Sequence, residues 1–396
     1  MPDSPRLFTP RFLALCFFQF ATFFSAFQLL PVIPLRIVEL GGSKAAAGSF
    51  LFVYTLASAF AAPMMGAIAD RIGRKRMLVT ASSLFVLFSL LYAVVPWLPV
   101  VLLIGVVHGS VWSAILSAAG AIMTEYIPSS RRTEGLAYWG LAPTAAMAVA
   151  PAMGLFVYGF GWFWLCIELA CIAALAATWG SRFPARAATG DEHALPRVAE
   201  LWDWHVVKVT LSMTVTAFGY GGITSYVAIL SRERGIVPES LFFTVFAIST
   251  VLIRIFTSRL GDRFGPRVLL YPAFALLPVA LAILAITTTR WEMILAATIF
   301  GIGMGGCWPA FMTLIVGATD ERSRARTFGS VIWAFDTGIG IGSLAVGAIG
   351  QRFGLGTAFG IAAGLSCFSI PIFLATSRNL GRGTAVADEV PHAGIG

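Results

Sequence analysis

Asp336 stands inside an apolar run, in the stretch Ala334-Phe335-Asp336-Thr337-Gly338-Ile339-Gly340-Ile341-Gly342-Ser343. A carboxylate among so many apolar residues needs a proton, a cation or polar partners, and such a group is costly enough to mark a working site. Arg254 is the cation at comparable depth in another apolar run. The two read either as partners that exchange protons and ions in a cycle, or as a static ion pair joining two helices. His108, with Trp112 one turn on, is a third candidate. An imidazole titrates near neutral pH and can relay a proton or bind a ligand; the plainer reading is a neutral ring bonded to a neighbouring helix. Glu168, six residues into its own run, reads as a helix-packing or snorkelling group. No Walker-type phosphate loop appears, so ATP is not the expected driver. No clustered nucleophile–base set appears, so an enzyme is not expected. No cofactor or metal is implied, and the five cysteines all fall within apolar runs.

The elements that carry these residues follow from composition. Of 396 residues, 58% are hydrophobic and 12% charged, and the mean hydropathy is +0.84. That much apolar surface calls for lipid as solvent, and lipid admits only helices or closed barrels. Runs of about 18–25 apolar residues choose helices. Twelve spans are expected, near 11–35, 46–69, 77–96, 98–125, 134–158, 162–180, 205–230, 239–258, 267–288, 291–316, 326–350 and 354–377. Residues 1–180 form one six-helix bundle, 181–204 a cytoplasmic linker, 205–378 a second bundle and 379–396 a disordered tail. The first run is long enough to span and lacks a cleavage site, so no cleaved signal peptide is expected.

The net charge of +8 suggests nucleic acid only if position is ignored. Arg36, Lys44, Arg232, Arg234, Arg290 and Arg352 fall in one set of loops; nearly all other cations fall at the termini and in the alternate set. The positive-inside rule then places both termini in the cytoplasm. The expected partners are a lipid bilayer, protons and a small-molecule substrate, with no nucleic acid and a monomeric chain.

The chain repeats itself. Gly66-Ala67-Ile68-Ala69-Asp70-Arg71-Ile72-Gly73-Arg74-Lys75-Arg76-Met77-Leu78 recurs in weaker form as Ser258-Arg259-Leu260-Gly261-Asp262-Arg263-Phe264-Gly265-Pro266-Arg267-Val268-Leu269, about half a chain later. Gly66 leaves room for a neighbouring helix, and Gly73 permits a tight reversal. Gly105…Gly109…Trp112 matches Gly301…Gly305…Trp308, and Gly154…Gly161 matches Gly347…Gly354. Two similar halves with a site between them are the plan of an alternating-access machine.

The first copy resembles the loop signature of the major facilitator superfamily, G-x-L-A-D-R-x-G-R-K-x-x-L, departing at Ile68. The resemblance implies an all-α membrane protein of twelve helices in two pseudo-symmetric six-helix bundles. It implies a cytoplasmic gate at Gly66, Asp70, Arg71, Gly73, Arg74, Gly261, Asp262, Arg263 and Gly265, with Asp70 latching onto span 11. The run around Asp336 resembles bacterial drug- and sugar-efflux members. Span 5, Ala146-Met147-Ala148-Val149-Ala150-Pro151-Ala152-Met153-Gly154, resembles a degenerate antiporter signature G-x-x-x-G-P-x-x-G. Two departures matter: span 1 has no acid, and Val101 stands where a span-4 arginine is usual.

The expected function is export of small amphipathic organic compounds across the inner membrane of a bacterium by proton antiport. The alternative is proton-coupled import of a sugar or other small metabolite. Asp336, Arg254 and His108 are the expected proton-coupling residues. Gln28, His108, Trp112, Tyr220, Ser225, Tyr226 and Trp308 are expected to line the substrate cavity.

Overall fold

A computed structural model describes residues 7–128, 131–183, 204–317, 319 and 324–377. Its helices are α1 Pro10–Glu39, α2 Lys44–Ile72, α3 Arg74–Val94, α4 Leu98–Tyr126, α5 Arg132–Tyr158, α6 Trp162–Gly180, α7 Trp204–Glu233, α8 Leu241–Phe264, α9 Pro266–Ile286, α10 Arg290–Gly317, α11 Arg324–Phe353, α12 Leu355–Ser366 and α13 Ser369–Thr376. No strand occurs among the described residues. At about 1.5 Å per residue, helices of 20 residues or more cross the roughly 30 Å apolar core of a bilayer. Large apolar side chains such as Phe156, Phe160, Trp164, Val94 and Ile286 face outward, as a lipid-facing surface requires.

The expected twelfth span is two helices. α12 ends at Ser366, and α13 starts at Ser369 after a short turn through Cys367 and Phe368. The two still make one apolar stretch from Leu355 to Thr376. α8 runs to Phe264, past the expected end of its span, so the second signature copy lies on helix up to the turn at Gly265. The region expected as linker lies almost wholly outside the described residues, as does the expected tail.

Among the described residues six glycines have positive φ, and they form three pairs in matching loops of the two halves: Gly41 with Gly235, Gly73 with Gly265, and Gly161 with Gly354. The helix contacts repeat likewise. In the first half α4 lies on α2: a Cβ at Gly109 would overlap the Tyr54 carbonyl, and one at Gly105 would press on Phe50. In the second half α10 lies on α8, where Gly301 meets Phe246 and Ser249, and Gly305 meets Thr250 and Ile253. The spacing of four puts both glycines of each helix on one face, so the backbones close up. The halves join chiefly through α2 on α11, with α5 on α8 and α1 on α7 beside them. α7, buried along most of its length, is the inner helix of the second half.

Candidate functional site

α11 is held from two sides by its glycines. A Cβ at Gly338 or Gly342 would overlap the carbonyls of Thr214 and Phe218 on α7. One at Gly340 would overlap the Thr55 hydroxyl on α2. Asp336 sits just before this stretch, half-buried, in the seam between the halves. The Tyr54 phenol of α2 lies within electrostatic reach of its carboxyl. Among the described residues Asp336 makes no ion pair or hydrogen bond. The expected pair with Arg254 is therefore not made in this conformation: Arg254 has a buried Nε without a partner among the described residues, and α11 turns Asp336 toward α2.

His108 is 2% exposed, deep among the helices of the first half rather than on an open cavity wall. Its Nδ1 lies 3.3 Å from Tyr92 Oη, and its Nε2 has no partner among the described residues. Its ring is caged by Phe85 at 4.3 Å, Phe88 and Tyr54 at 5.1 Å, and Tyr92 at 5.9 Å between centroids. Trp112 is likewise buried, 4.6 Å from Phe23 and 6.0 Å from Phe85.

The other expected cavity residues separate into three groups. Tyr220 and Trp308 converge on Phe335, the neighbour of Asp336 in the chain, at 6.5 and 4.6 Å, and Tyr220 stacks on Phe300 at 6.1 Å. Gln28 is turned into the first half, where its amide Nε2 donates to Glu168 Oε1 at 3.3 Å. Beside it the absent Cβ of Gly154 lets α5 rest on the Gln28 backbone. Ser225 and Tyr226 sit in a closed seam. Ser225 Oγ is 2.6 Å from Ser343 Oγ, Ser343 donates to the Gly48 carbonyl at 3.1 Å, and Tyr226 donates to the Lys44 carbonyl at 2.6 Å.

That seam ends in a charged cluster at the α1–α2 loop. Glu39 of the first half binds Arg232 of the second and accepts from the Tyr158 hydroxyl. Arg232 also holds Glu239, Nε to Oε1 at 2.6 Å. Lys44 Nζ meets Glu233 at 2.6 Å, and the Lys44 amide donates to Gln351 at 2.8 Å. Sequence reasoning used Arg36, Lys44 and Arg232 only to count charge. The signal it passed over was the acid beside each cation, Glu39 and Glu233, in matching loops of the two halves. Just outside α7, burial lowers the Arg234 guanidinium pKa from its ordinary value, and Arg234 donates to the Leu284 and Ala285 carbonyls at 3.1 and 2.9 Å.

At the opposite end Gly73 (φ +97°) turns α2 into α3, and Gly265 (φ +82°) turns α8 into α9. Arg74 Nη1 reaches the Ala121 carbonyl at 3.5 Å, and Arg71 is exposed. The expected crowding at Gly66 is not met: among the described residues nothing lies within 4 Å of a Cβ built there. The side chains of Asp70, Asp262 and Arg263, and the surroundings of Gly261, lie outside the described residues, and so does the expected latch. Cavities of about 440 and 480 Å³ lie against Arg36 and Trp162 and against Trp164 and Glu168; no expected cavity residue lines either.

Two glycine-packed halves, a seam between them and a carboxyl in that seam agree with one family, whose signature matches residues 15–236 and again 209–390. The chain belongs to the Major Facilitator Superfamily. It is a multi-pass membrane transporter rather than an enzyme, and it resembles the superfamily's drug-efflux members. It is 26% identical over 372 residues to the multidrug resistance protein MdtG of Salmonella choleraesuis (strain SC-B67), covering 87% of this chain and 90% of that one. The MdtG of Citrobacter koseri is 26% identical over 369 residues, covering 87% and 89%. Among solved structures, a POT family transporter in complex with 5-aminolevulinic acid superposes with TM-score 0.76 at 13% identity, over 96% and 99% of the two chains. A bacterial homologue of the human lysosomal transporter Spinster, inward-facing and occupied, gives 0.75 at 15% identity over 95% and 98%. The nucleoside transporter NupG gives 0.69 at 14% over 93% and 100%. At those identities the structural likeness speaks for the fold.

Proposed function

We propose that this transporter exports small amphipathic organic compounds across the cytoplasmic membrane of a bacterium in exchange for protons. The observation that carries the reading is Asp336: a carboxyl in the seam between the halves, one residue after Phe335 of the Tyr220–Phe335–Trp308 aromatic cluster, with no cation among the described residues to neutralise it. A carboxyl in that setting is a carrier for a proton, and aromatic walls suit organic molecules. The MdtG relatives support drug-like substrates. Charge distribution supports cytoplasmic termini. In that orientation the α1–α2 end, closed here by the Glu39–Arg232 and Lys44–Glu233 pairs, faces outward.

In the proposed cycle the deprotonated inward-facing state takes substrate from the cytoplasm or inner leaflet. Rocking opens the charged cluster at Glu39 and Arg232 and closes the signature-loop end, where Asp70 and its neighbours form the gate. An outside proton then binds Asp336 and displaces the substrate. Arg254 is a partner Asp336 exchanges with during the cycle, and His108 relays protons within the first half.

The test uses purified protein in liposomes that enclose a pH-sensitive dye. Lipophilic cations, neutral drugs and sugars are added with and without a pH gradient. Substrate-dependent proton release is expected for the first two classes, and Asp336→Asn should lower it at least tenfold. Proton uptake with an entering sugar reverses the direction to symport. An Asp336→Lys variant that transports with an unchanged pH profile removes Asp336 from the mechanism.

A further inference from the structure

On α2, the helix that packs on α11, stands a polar side chain that the proposed cycle does not use. Tyr54 is 5% exposed, and its hydroxyl has no hydrogen-bond partner among the described residues. Its ring meets His108 edge-on, centroids 5.1 Å apart at 81°. Backbone packing fixes that contact, because α4 lies on the Tyr54 carbonyl at Gly109. On its other side the phenol is within electrostatic reach of Asp336. The two helices lie close here, since Gly340, one turn beyond Asp336, rests on Phe52 and Thr55, the residues around Tyr54 on α2. His108 contributes a second unpaired atom, Nε2, while its Nδ1 faces Tyr92 Oη. Unpaired buried polar atoms are costly, and proteins retain few of them. Here two belong to rings in direct contact, 5.1 Å apart between centroids. The residues before Tyr54 on α2 include Phe50, Leu51 and Phe52, so packing alone asks for no hydroxyl.

We propose that Tyr54 is the positioning residue that couples Asp336 in the second half to His108 in the first. Its O–H is directed at the Asp336 carboxylate in the deprotonated state and at His108 Nε2 once Asp336 carries a proton. Each link is made directly or through one bridging water. The proposal rests on proton exchange at Asp336 and adds the route by which the other half senses it. The titratable groups facing the site are Tyr92 from α3 with Cys166 of α6 behind it, His108 from α4, Tyr220 from α7 beside Phe335, and Asp336 itself. Among the described residues, no charged side chain other than Asp336 acts on the Tyr54 phenol.

The test is Tyr54→Phe, which keeps the ring on His108 and removes the hydroxyl. In the same liposomes, substrate-dependent proton release should fall about tenfold, while substrate binding in detergent stays within about twofold. The pH midpoint of transport should move to the alkaline side, because the carboxylate loses a donor that favours its charged form. 3-Fluorotyrosine incorporated at position 54 keeps the packing and strengthens the donor, so it should move the midpoint to the acid side. A wild-type rate and an unmoved midpoint in both proteins overturn the coupling. Asp336→Asn, run in parallel, separates the two levels. If it lowers proton release at least tenfold while Tyr54→Phe keeps the wild-type rate and midpoint, the coupling fails and the antiport reading stands. If it has no effect, the antiport reading itself fails.

Discussion

At Arg254 the guanidinium is half-buried, and its Nε has no partner among the described residues. Breaking a buried ion pair by removing one member costs about 3–5 kcal/mol, since the other charge is left uncompensated. No such pair is made by Arg254 among the described residues, so Arg254→Gln should leave the thermal midpoint of the purified protein within about 2 °C while slowing transport. A fall of about 10 °C or more would mean that Arg254 is tied into the fold. His108 differs, because its Nδ1 faces Tyr92 Oη at 3.3 Å inside an aromatic cage. His108→Ala leaves that hydroxyl buried and unpaired and opens a void, so it should cost about 1–3 kcal/mol and lower the midpoint. Asp336 and His108 were both legible in the sequence, because a polar group in an apolar run stands out by type alone. Their partners were not. Partnership depends on how each helix is rotated about its axis, and spacing along one chain does not fix that angle between helices distant in sequence. Gln28 and Tyr226 have polar groups as visible as that of His108, yet they turn toward Glu168 and the Lys44 carbonyl.

Between elements, the glycines set the distances. Gly109 lets α4 touch the Tyr54 carbonyl, whereas Gly364 on α12 has open space around it. Gly109→Ala must push α4 from α2, and overpacking of this kind costs about 1–3 kcal/mol. Gly364→Ala meets nothing and removes backbone freedom, so it should be neutral or stabilise by up to about 1 kcal/mol. Thermal unfolding of the two variants side by side checks the contrast, and equal midpoints would remove the close-packing account. The helices were legible because run length and apolar content decide a span in lipid. The repeat was legible where sequence copies survived, as at Gly73 and Gly265. It was not legible at Gly41 and Gly235, where a shared positive φ remains without a shared motif. The break between α12 and α13 was hidden, because Cys367 and Phe368 are as apolar as the helices they interrupt.

For the whole molecule, the sealed end is the quantity that an alternating machine must vary. Two kinds of contact hold it. The Ser225–Ser343–Gly48 and Tyr226–Lys44 bonds lie inside the seam, and the ion pairs Arg232–Glu39 and Lys44–Glu233 lie at its rim. The rim side chains are 20–42% exposed, so solvent screens them and each pair contributes only about 0–1 kcal/mol. A lock that weak suits a transporter, because it biases a conformational equilibrium without trapping it. Arg232→Glu sets a like charge against Glu39 and Glu239. It should raise the population open at the α1–α2 end by up to about fivefold, the change that ~1 kcal/mol produces. Spin labels at Leu40 and Val237, both exposed and on opposite halves at that end, would report it as growth of a longer-distance component in pulsed dipolar spectra. High salt should move the unsubstituted protein the same way and move the variant back toward closure, since screening weakens the attraction in the one and the like-charge repulsion in the other. The double exchange Glu39→Arg with Arg232→Glu should restore the short distance only in part, because Glu39 also serves Tyr158 and Arg232 also serves Glu239. An unchanged distance distribution in Arg232→Glu would assign the closure to the hydroxyl and glycine contacts of the seam alone.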